Sequence, residues 1–352
     1  MTPNPALGVL FHWLGGLAAG SFYVPYRGVK NWSWETYWLV GGVFSWIIAP
    51  WLLALLLTHG LSGVLGRAPV STVLWCILFG LLWGVGGLTF GLTVRYLGLS
   101  LGIAIVMGLC AAFGTLMPPI VSGTFVSQVW EKSAGRVTLL GIGLCLVGIA
   151  IAGLAGIYKE RTISVDVAQA AIKEFDLKKG FLMALVSGLM SSCFAYGLAA
   201  GAPIKALAVK AGTPPLWQGL PVLIVVLMGG FITNCVWSVY LNIRNKTASE
   251  YLASERPLIR NYLLCALAGT TWYFQFFFYS MGETKMGAYS FSSWTLHMAS
   301  IVIFSTLWGI GLNEWNGSGR TAGRLLALGL VVLIGSTVVV GYGNYLNVAV
   351  AR

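Results

Sequence analysis

Two histidines stand out in this 352-residue chain, because no other His, Asp, Glu, Lys or Arg lies within its long apolar runs. His12 lies in the first run and His297 in the ninth. An ionisable group in an apolar helix is a candidate for function, and histidine titrates near neutral pH, as a proton carrier must. The alternative for each is a neutral imidazole that is hydrogen-bonded to a neighbouring helix.

Glu35 is the carboxylate whose surroundings point to chemistry. It precedes the second apolar run in the segment Trp32-Ser33-Trp34-Glu35-Thr36, where aromatic rings would shield it from water. We therefore expect His12, Glu35 and His297 to be the candidates for a proton-coupling site. The alternative for Glu35 is an interfacial carboxylate at a helix start, facing the positive end of the helix dipole.

An aromatic segment that contains one amide predicts a binding site. It runs from Trp272 through Gln275 to Tyr279 in the eighth run. A buried amide needs a polar partner. Sugars are bound by flat rings that cover their C–H faces, together with amides and imidazoles that bond their hydroxyl groups. The residues predicted to line the site are Trp83, Asn234, Trp272, Gln275, Trp294 and His297. The alternative for each aromatic residue is packing in the core or against lipid.

The sequence lacks the signatures of several other chemistries. It has no Gly-x-x-x-x-Gly-Lys-Ser/Thr loop for a nucleotide. Its six cysteines form no Cys-x-x-Cys pair and no Cys/His cluster with metal spacing, which favours a packing role for them. We expect no catalytic residue, no metal site and no cofactor, so that any energy must come from an ion or substrate gradient.

The composition is typical of an integral membrane protein. Hydrophobic residues make up 57% of the chain and charged residues 9%, against about 25% charged residues in a soluble domain. The apolar runs have the length of about 20 residues that spans bilayer hydrocarbon as a helix. Ten such runs are predicted to be transmembrane helices: 6–24, 37–57, 70–92, 99–121, 137–157, 180–199, 216–241, 261–281, 287–310 and 325–346.

The basic residues predict the orientation. The net charge of +11 does not indicate nucleic-acid binding, because these residues lie at the ends of the apolar runs. Fourteen of the 21 basic residues lie in the connections after odd-numbered runs, and seven lie on the other side. Since basic loops stay in the cytoplasm, we expect both termini to lie outside.

Weak internal similarity divides the chain into two halves. Residues 1–157 and 180–352 each carry five runs, and the charged segment 158–179 is predicted to link them in the cytoplasm. The matches are Gly8, Gly16, Leu17 and Phe22 with Gly180, Gly188, Leu189 and Phe194, and Gly80-x-x-Trp83 with Gly269-x-x-Trp272. Because five is odd, the second half must cross the bilayer in the opposite sense. This is the inverted-repeat plan of secondary transporters, which hold substrate near the midplane.

Ordered segments along nearly the whole chain resemble one known family. The most specific are Trp32-Ser33-Trp34-Glu35-Thr36 and Gln275-Phe276-Phe277-Phe278-Tyr279. Others are Phe22-Tyr23, Val29-Lys30, Gly91-Leu92-Thr93, Arg95-Tyr96-Leu97-Gly98, Gly114-Thr115-Leu116, Thr138-Leu139-Leu140-Gly141, Ser293-Trp294, Leu296-His297-Met298 and Glu314-Trp315-Asn316. With these segments the chain resembles the L-rhamnose–proton symporters of the drug/metabolite transporter superfamily.

The resemblance implies an all-α integral membrane fold of ten transmembrane helices in the bacterial inner membrane. It also implies uptake of L-rhamnose, or of a close deoxyhexose such as L-lyxose, together with protons. The expected partners are the sugar, the proton and the lipid bilayer, and the sequence carries no signal for the oligomeric state. We expect alternating access between the two five-helix halves.

Three alternatives differ in function. The nearest is the same fold carrying another sugar, a metabolite or a drug. A membrane-embedded enzyme would need acidic or metal-ligand clusters at the interface, and the sequence shows none. A sugar-sensing receptor would need a signalling domain, for which the sequence leaves little room.

Overall fold

A computed structural model describes residues 3–97, 99–162, 177–253 and 257–350, and these are almost entirely helical. Ten long helical segments, labelled here in chain order, make up most of them. They are α1 Pro5–Ser21, α2 Trp34–Leu57, α3 Val70–Leu97, α4 Leu99–Val121, α5 Ser133–Thr162, α6 Leu177–Ala200, α7 Leu220–Asn245, α8 Leu258–Glu283, α9 Ser293–Gly311 and α10 Gly319–Val350. Within α2, a π-helical turn at Val43–Ile48 joins two α-helices.

Nine of the segments in the described ranges are long and apolar enough to cross a membrane, which makes the chain a multi-pass membrane protein. The other segment is α8. It is 26 residues long and contains the predicted run 261–281. Its Asn, Thr, Trp, Tyr and Gln residues lower its mean hydropathy below that of the others. Asn, Trp and Gln are also among the residue types that the sequence assigns to the binding site.

The predicted linker 158–179 is helical at both ends. Residues 158–162 belong to α5 and residues 177–179 belong to α6. Residues 163–176 lie outside the described part of the chain, as do Arg256 and Arg352 of the basic residues counted above.

The helices of one half pack mainly against helices of the other half. α1 packs against α8 and α9, and α6 packs against α3 and α4. α2 contacts α8 in the way that α7 contacts α3, and α5 lies along α10. Replacing each helix by the one five positions further along therefore returns the same set of neighbours.

Glycines permit the closest of these crossings. A Cβ atom on Gly80 of α3 would collide with the backbone of α7 at Val226 and Gly229. A Cβ atom on Gly269 of α8 would collide with the backbone of α2 at Gly41. Small residues let helix backbones approach where lipid offers no hydrophobic drive. The two crossings position Trp83 and Trp272, which lie one turn further along α3 and α8.

Candidate substrate and proton site

His12 and His297 both contact one tyrosine. The ring centroid of Tyr279 on α8 is 5.3 Å from that of His12 on α1 and 5.4 Å from that of His297 on α9. Both histidines are fully buried, and Tyr279 is 4% exposed. We call these three residues the histidine cluster. The fold thus brings together two histidines that the sequence separates by most of its length.

Neither imidazole is hydrogen-bonded within the described residues. Nδ1 and Nε2 of both His12 and His297 are buried without a hydrogen-bond partner. The alternative in which each histidine bonds to a neighbouring helix is therefore not met in this structure. An unsatisfied buried polar group costs about 1–3 kcal/mol, and in each neutral imidazole the nitrogen without a hydrogen can accept a proton or a hydrogen bond.

Ser300 ties the backbones of the two histidines together. Its hydroxyl on α9 lies 2.9 Å from the carbonyl oxygen of His12 and 2.8 Å from that of His297. Gly282 on α8 leaves room for the His12 ring, because a Cβ atom there would lie 2.8 Å from it. The rings are therefore held by close helix packing.

Trp83 and Trp272 form a stacked pair next to this cluster. Their ring centroids are 5.6 Å apart at an interplanar angle of 27°. Phe276 contacts both indoles, at 5.7 Å and 4.9 Å, and it lies 6.3 Å from His297. The predicted sugar-stacking residues and the histidine cluster therefore belong to one continuous aromatic core.

Trp294 joins the same core but is anchored by its indole nitrogen. Nε1 donates to the carbonyl oxygen of Cys110 on α4 at 3.1 Å, and the ring stacks on Phe194 at 6.0 Å. The ring also lies 6.1 Å from His297. Trp294 can offer a substrate its ring surface but not its N–H group.

The two predicted amides differ in their bonding. Gln275 is 5% exposed, and its side-chain nitrogen has no partner in the part of the chain that is described. Both polar atoms of the Asn234 amide are hydrogen-bonded. The nitrogen donates to the carbonyl oxygen of Gly230 at 2.9 Å, and the oxygen accepts from the indole N–H of Trp38 at 3.2 Å. The side-chain nitrogen of Gln275 is therefore unpaired among the described residues, whereas Asn234 holds Trp38.

Glu35 lies apart from the histidine cluster. It is buried at the start of α2, and its carboxylate accepts hydrogen bonds from Asn245 at 2.9 Å and Thr247 at 3.0 Å. Both partners lie at the end of α7. The sequence grouped Glu35 with the histidines as a proton candidate, but the structure places it in a separate polar network that links α2 to α7.

An ion pair lies at the C-terminal end of α8. Lys205, on the short helix that follows α6, contacts Glu283 at 2.7 Å, with both side chains largely shielded. Glu283 adjoins Gly282, against which the His12 ring packs.

Two cavities flank the aromatic core. A cleft of about 10 Å³ beside Trp272, Trp46 and Trp38 has close to the space of one water molecule. A larger cavity of about 310 Å³ lies between α4, α5, α9 and α10, with Lys159 and Glu314 among its lining residues.

Sequence reasoning missed two contributors to this site, Phe194 and Ser300. Phe194 and Phe276 connect the indole pair to Trp294 and His297, and Ser300 fixes the histidine backbones. A signal existed for Phe194, because it matches Phe22 in the internal repeat. Phe22 in turn contacts Trp272 at 6.3 Å, as Phe194 contacts Trp83 at 4.9 Å.

Buried imidazoles and an amide nitrogen without partners among the described residues, inside a multi-pass helical bundle, are typical of a membrane transporter, since such groups mark substrate and proton pathways. No group of three His, Cys, Asp or Glu side chains within the described ranges is placed to hold a metal ion. The chain belongs to the L-rhamnose-proton symport protein (RhaT) family, whose family model matches residues 1–345. That family consists of transporters and not of enzymes.

Similar proteins extend over nearly the same length. Proteins named L-rhamnose-proton symporter from Salmonella paratyphi A, Salmonella gallinarum and Salmonella paratyphi B are each 39% identical to this chain over 341 residues. The match covers 96% of this chain and 97% of each relative.

Proposed function

We propose that this protein takes up L-rhamnose together with protons across the inner membrane of a bacterium. The observation that carries the proposal is the pair of buried histidines, without partners among the described residues, beside a stacked indole pair in a member of this family. Imidazoles accept protons near neutral pH, and indole faces suit the C–H surface of a sugar.

The fold that we propose is that of the drug/metabolite transporters, in which ten helices cross the membrane as two inverted repeats, 1–157 and 180–352. The exchange of packing partners between α1 to α5 and α6 to α10 supports it. So does a contact between Trp83 and Trp272, which occupy matching positions of the two Gly-x-x-Trp segments and stack on each other. Residues related by a two-fold axis touch each other only where they lie next to the axis.

The packing between helices also bears on which helices move together during alternating access. We group α1, α2, α8 and α9 as one lobe and α3, α4, α6 and α7 as the other, so that each lobe contains helices of both repeats and α2 packs against α7 where the lobes meet. We propose that alternating access moves these lobes, and not the two five-helix halves of the chain, around a site on the axis. The histidine cluster and Gln275 belong to the first lobe, and Trp83 faces them from the second.

Sugar binding separates the stacked indoles in this mechanism. Trp83 and Trp272 close on each other when no sugar is present and cover its two faces when it is. Gln275 and His297 supply hydrogen bonds, and Trp294 forms a wall. A proton on His12 or His297 favours the loaded state, because each ligand binds better when the other is present.

Contacts between the lobes support a gate at each face of the membrane. On the face predicted to be outside, Lys205 of the second lobe pairs with Glu283 of the first at 2.7 Å. On the face predicted to be cytoplasmic, Glu35 of the first lobe accepts from Asn245 and Thr247 of the second. The proposed role of Glu35 is therefore in this inner gate. The prediction that both termini lie outside belongs to the same proposal.

Uptake into proteoliposomes tests the function. Labelled L-rhamnose should accumulate above equilibrium when the lumen is made alkaline, and a protonophore should abolish the accumulation. Competition by unlabelled L-lyxose and other sugars then defines the substrate range. Absence of L-rhamnose accumulation, with or without the gradient, contradicts the proposal and leaves a transporter of a different substrate.

A further inference from the structure

Tyr279 is the one aromatic ring that contacts both histidines of the site among the described residues. Its centroid lies 5.3 Å from His12 with the rings inclined at 58°, and 5.4 Å from His297 with the rings inclined at 70°. Trp294 and Phe276 contact only His297, at 6.1 Å and 6.3 Å. The ring of Tyr279 therefore contacts two imidazoles that come from different helices.

A protonated imidazole in this place has few means of stabilisation. α1 and α9 contain no Asp, Glu, Lys or Arg, and neither does the stretch of α4 that faces Trp294. On α8 the charged side chains nearest to the cluster are Glu283, which is paired with Lys205, and Lys285 just beyond the helix. The second coupling ligand, the sugar, is neutral.

An aromatic ring can stabilise a positive charge on an imidazole where no carboxylate is close by. A cation within about 6 Å of a ring centroid is attracted by the negative face of the ring, and the attraction is stronger in a desolvated site. Both imidazoles lie within that distance of Tyr279. We propose that Tyr279 is a positioning residue of the proton site, whose ring stabilises the imidazolium form of whichever histidine, His12 or His297, carries the proton.

This inference rests on the proposed proton coupling at the histidines and adds a residue to it. It gives the role to the ring and not to the phenol hydroxyl. It also explains how a proton can be held in the apolar centre while the lobes move. α8 and α9 belong to the same lobe as α1, so the ring and both imidazoles travel together.

Variants of Tyr279 separate the ring from the hydroxyl. Tyr279→Phe keeps the ring, and Tyr279→Leu removes it. Phe274→Leu is the matched control, because Phe274 is an aromatic residue of the same helix whose ring contacts are Tyr273, Phe277 and Phe278. Initial rates of gradient-driven uptake are measured against pH in proteoliposomes, and sugar exchange at equal pH on both sides is measured in parallel.

We expect loss of the ring to shift the pH midpoint of driven uptake and not to abolish transport at every pH. Loss of the ring disfavours the protonated site, so the pH midpoint of driven uptake in Tyr279→Leu should move to lower pH by about one unit, equivalent to about tenfold in proton affinity. Exchange at acid pH should stay within about twofold of the parent. Tyr279→Phe and Phe274→Leu should keep the parent profile. An unshifted Tyr279→Leu profile overturns the proposal, and so does an equal shift in Tyr279→Phe.

A second series remains informative if Tyr279→Leu does not fold. Phenylalanine and its mono-, di- and trifluoro derivatives at position 279 keep the ring shape while weakening its negative face. The midpoint should fall stepwise with fluorination, and a constant midpoint overturns the proposal. The histidine variants described in the Discussion report on the proposed function separately. Uptake that stays proton-driven in both refutes proton coupling at the histidines, whatever Tyr279 does.

Discussion

The indole ring of Trp83 on α3 stacks on that of Trp272 on α8 with centroids 5.6 Å apart. Both residues follow a glycine by three positions, and each glycine lies at a helix crossing that a Cβ atom would obstruct. The pair therefore joins the two halves of the chain at matching positions. It also joins the two proposed lobes at the place where the sugar should bind.

Removing either indole should weaken sugar binding. Trp83→Ala and Trp272→Ala should each raise the KM for L-rhamnose about tenfold or more, which corresponds to about 1.4 kcal/mol. Phenylalanine at either position should restore part of the affinity. Trp237→Ala is the control, because Trp237 is 42% exposed on α7 and stacks on Tyr240. Unchanged KM values in both alanine variants would remove the indole pair from the binding site.

The two amides should respond in opposite directions to replacement by leucine. Gln275→Leu removes a buried donor without a partner in the described chain, so the thermal stability of the sugar-free protein should rise, by about 1 kcal/mol. Its sugar affinity should fall about tenfold. Asn234→Leu breaks bonds to Gly230 and Trp38 and should lower stability by about 1 kcal/mol or more. Melting curves with and without L-rhamnose measure both effects, and equal responses would contradict the assignment.

Replacing the histidines should abolish proton drive while sparing exchange. His12→Gln and His297→Gln keep a side chain of similar size that takes no proton. We expect gradient-driven accumulation to fall at least tenfold in one or both variants. Sugar exchange should persist in His12→Gln, but it should be weaker in His297→Gln, where the ring also binds sugar. His59→Gln is the control, because His59 is exposed between α2 and α3.

The ion pair at the proposed outer gate should contribute more to stability than the exposed ion pair between Arg27 and Glu314 on the opposite face. A double-mutant cycle on Lys205 and Glu283, which are 16% and 23% exposed, should give a coupling free energy of about 1 kcal/mol. The same cycle on Arg27 and Glu314, which are 53% and 45% exposed, should give a value near zero. Glu283→Gln should also raise the labelling rate of a cysteine introduced near Tyr279. An unchanged rate would show that this pair does not close the outer face.

The glycine crossings should be intolerant of a single methyl group. Gly80→Ala and Gly269→Ala place a Cβ atom against the backbone of a neighbouring helix, so both should lower the melting temperature and the yield of folded protein. Gly87→Ala in α3 is the control, because a Cβ atom there meets no other atom within 4 Å. Alanine is about 0.5–1 kcal/mol better than glycine inside a helix, so this variant should be neutral or more stable. Stable Gly80→Ala protein would argue against the close crossing.

Much of the fold is visible in the sequence because hydropathy is a local property. Each predicted apolar run coincides with a long helix, and the resemblance to the L-rhamnose–proton symporters is confirmed by the family match over residues 1–345. The sequence also identified His12 and His297, since a titratable side chain in a long apolar run needs no tertiary information to be noticed. The inverted repeats and the site residues remain predictions.

The sequence did not show which residues of distant helices contact each other. The sequence grouped Glu35 with the histidines and Asn234 with Gln275 by residue type. The structure places Glu35 with the end of α7 and bonds Asn234 to Trp38, because both outcomes depend on which helix faces which. Helical periodicity shows which residues share a face but not the partner of that face.

The sequence alone determined that this is a multi-pass membrane protein with two histidines in its apolar runs, an aromatic segment around Gln275 and the segments of its family. Only the tertiary structure decided that Tyr279 contacts both His12 and His297, and that Trp83 stacks on Trp272. The physical reason is that these contacts join residues far apart in the chain. They form where glycines let α3 cross α7, let α8 cross α2, and leave room for the His12 ring.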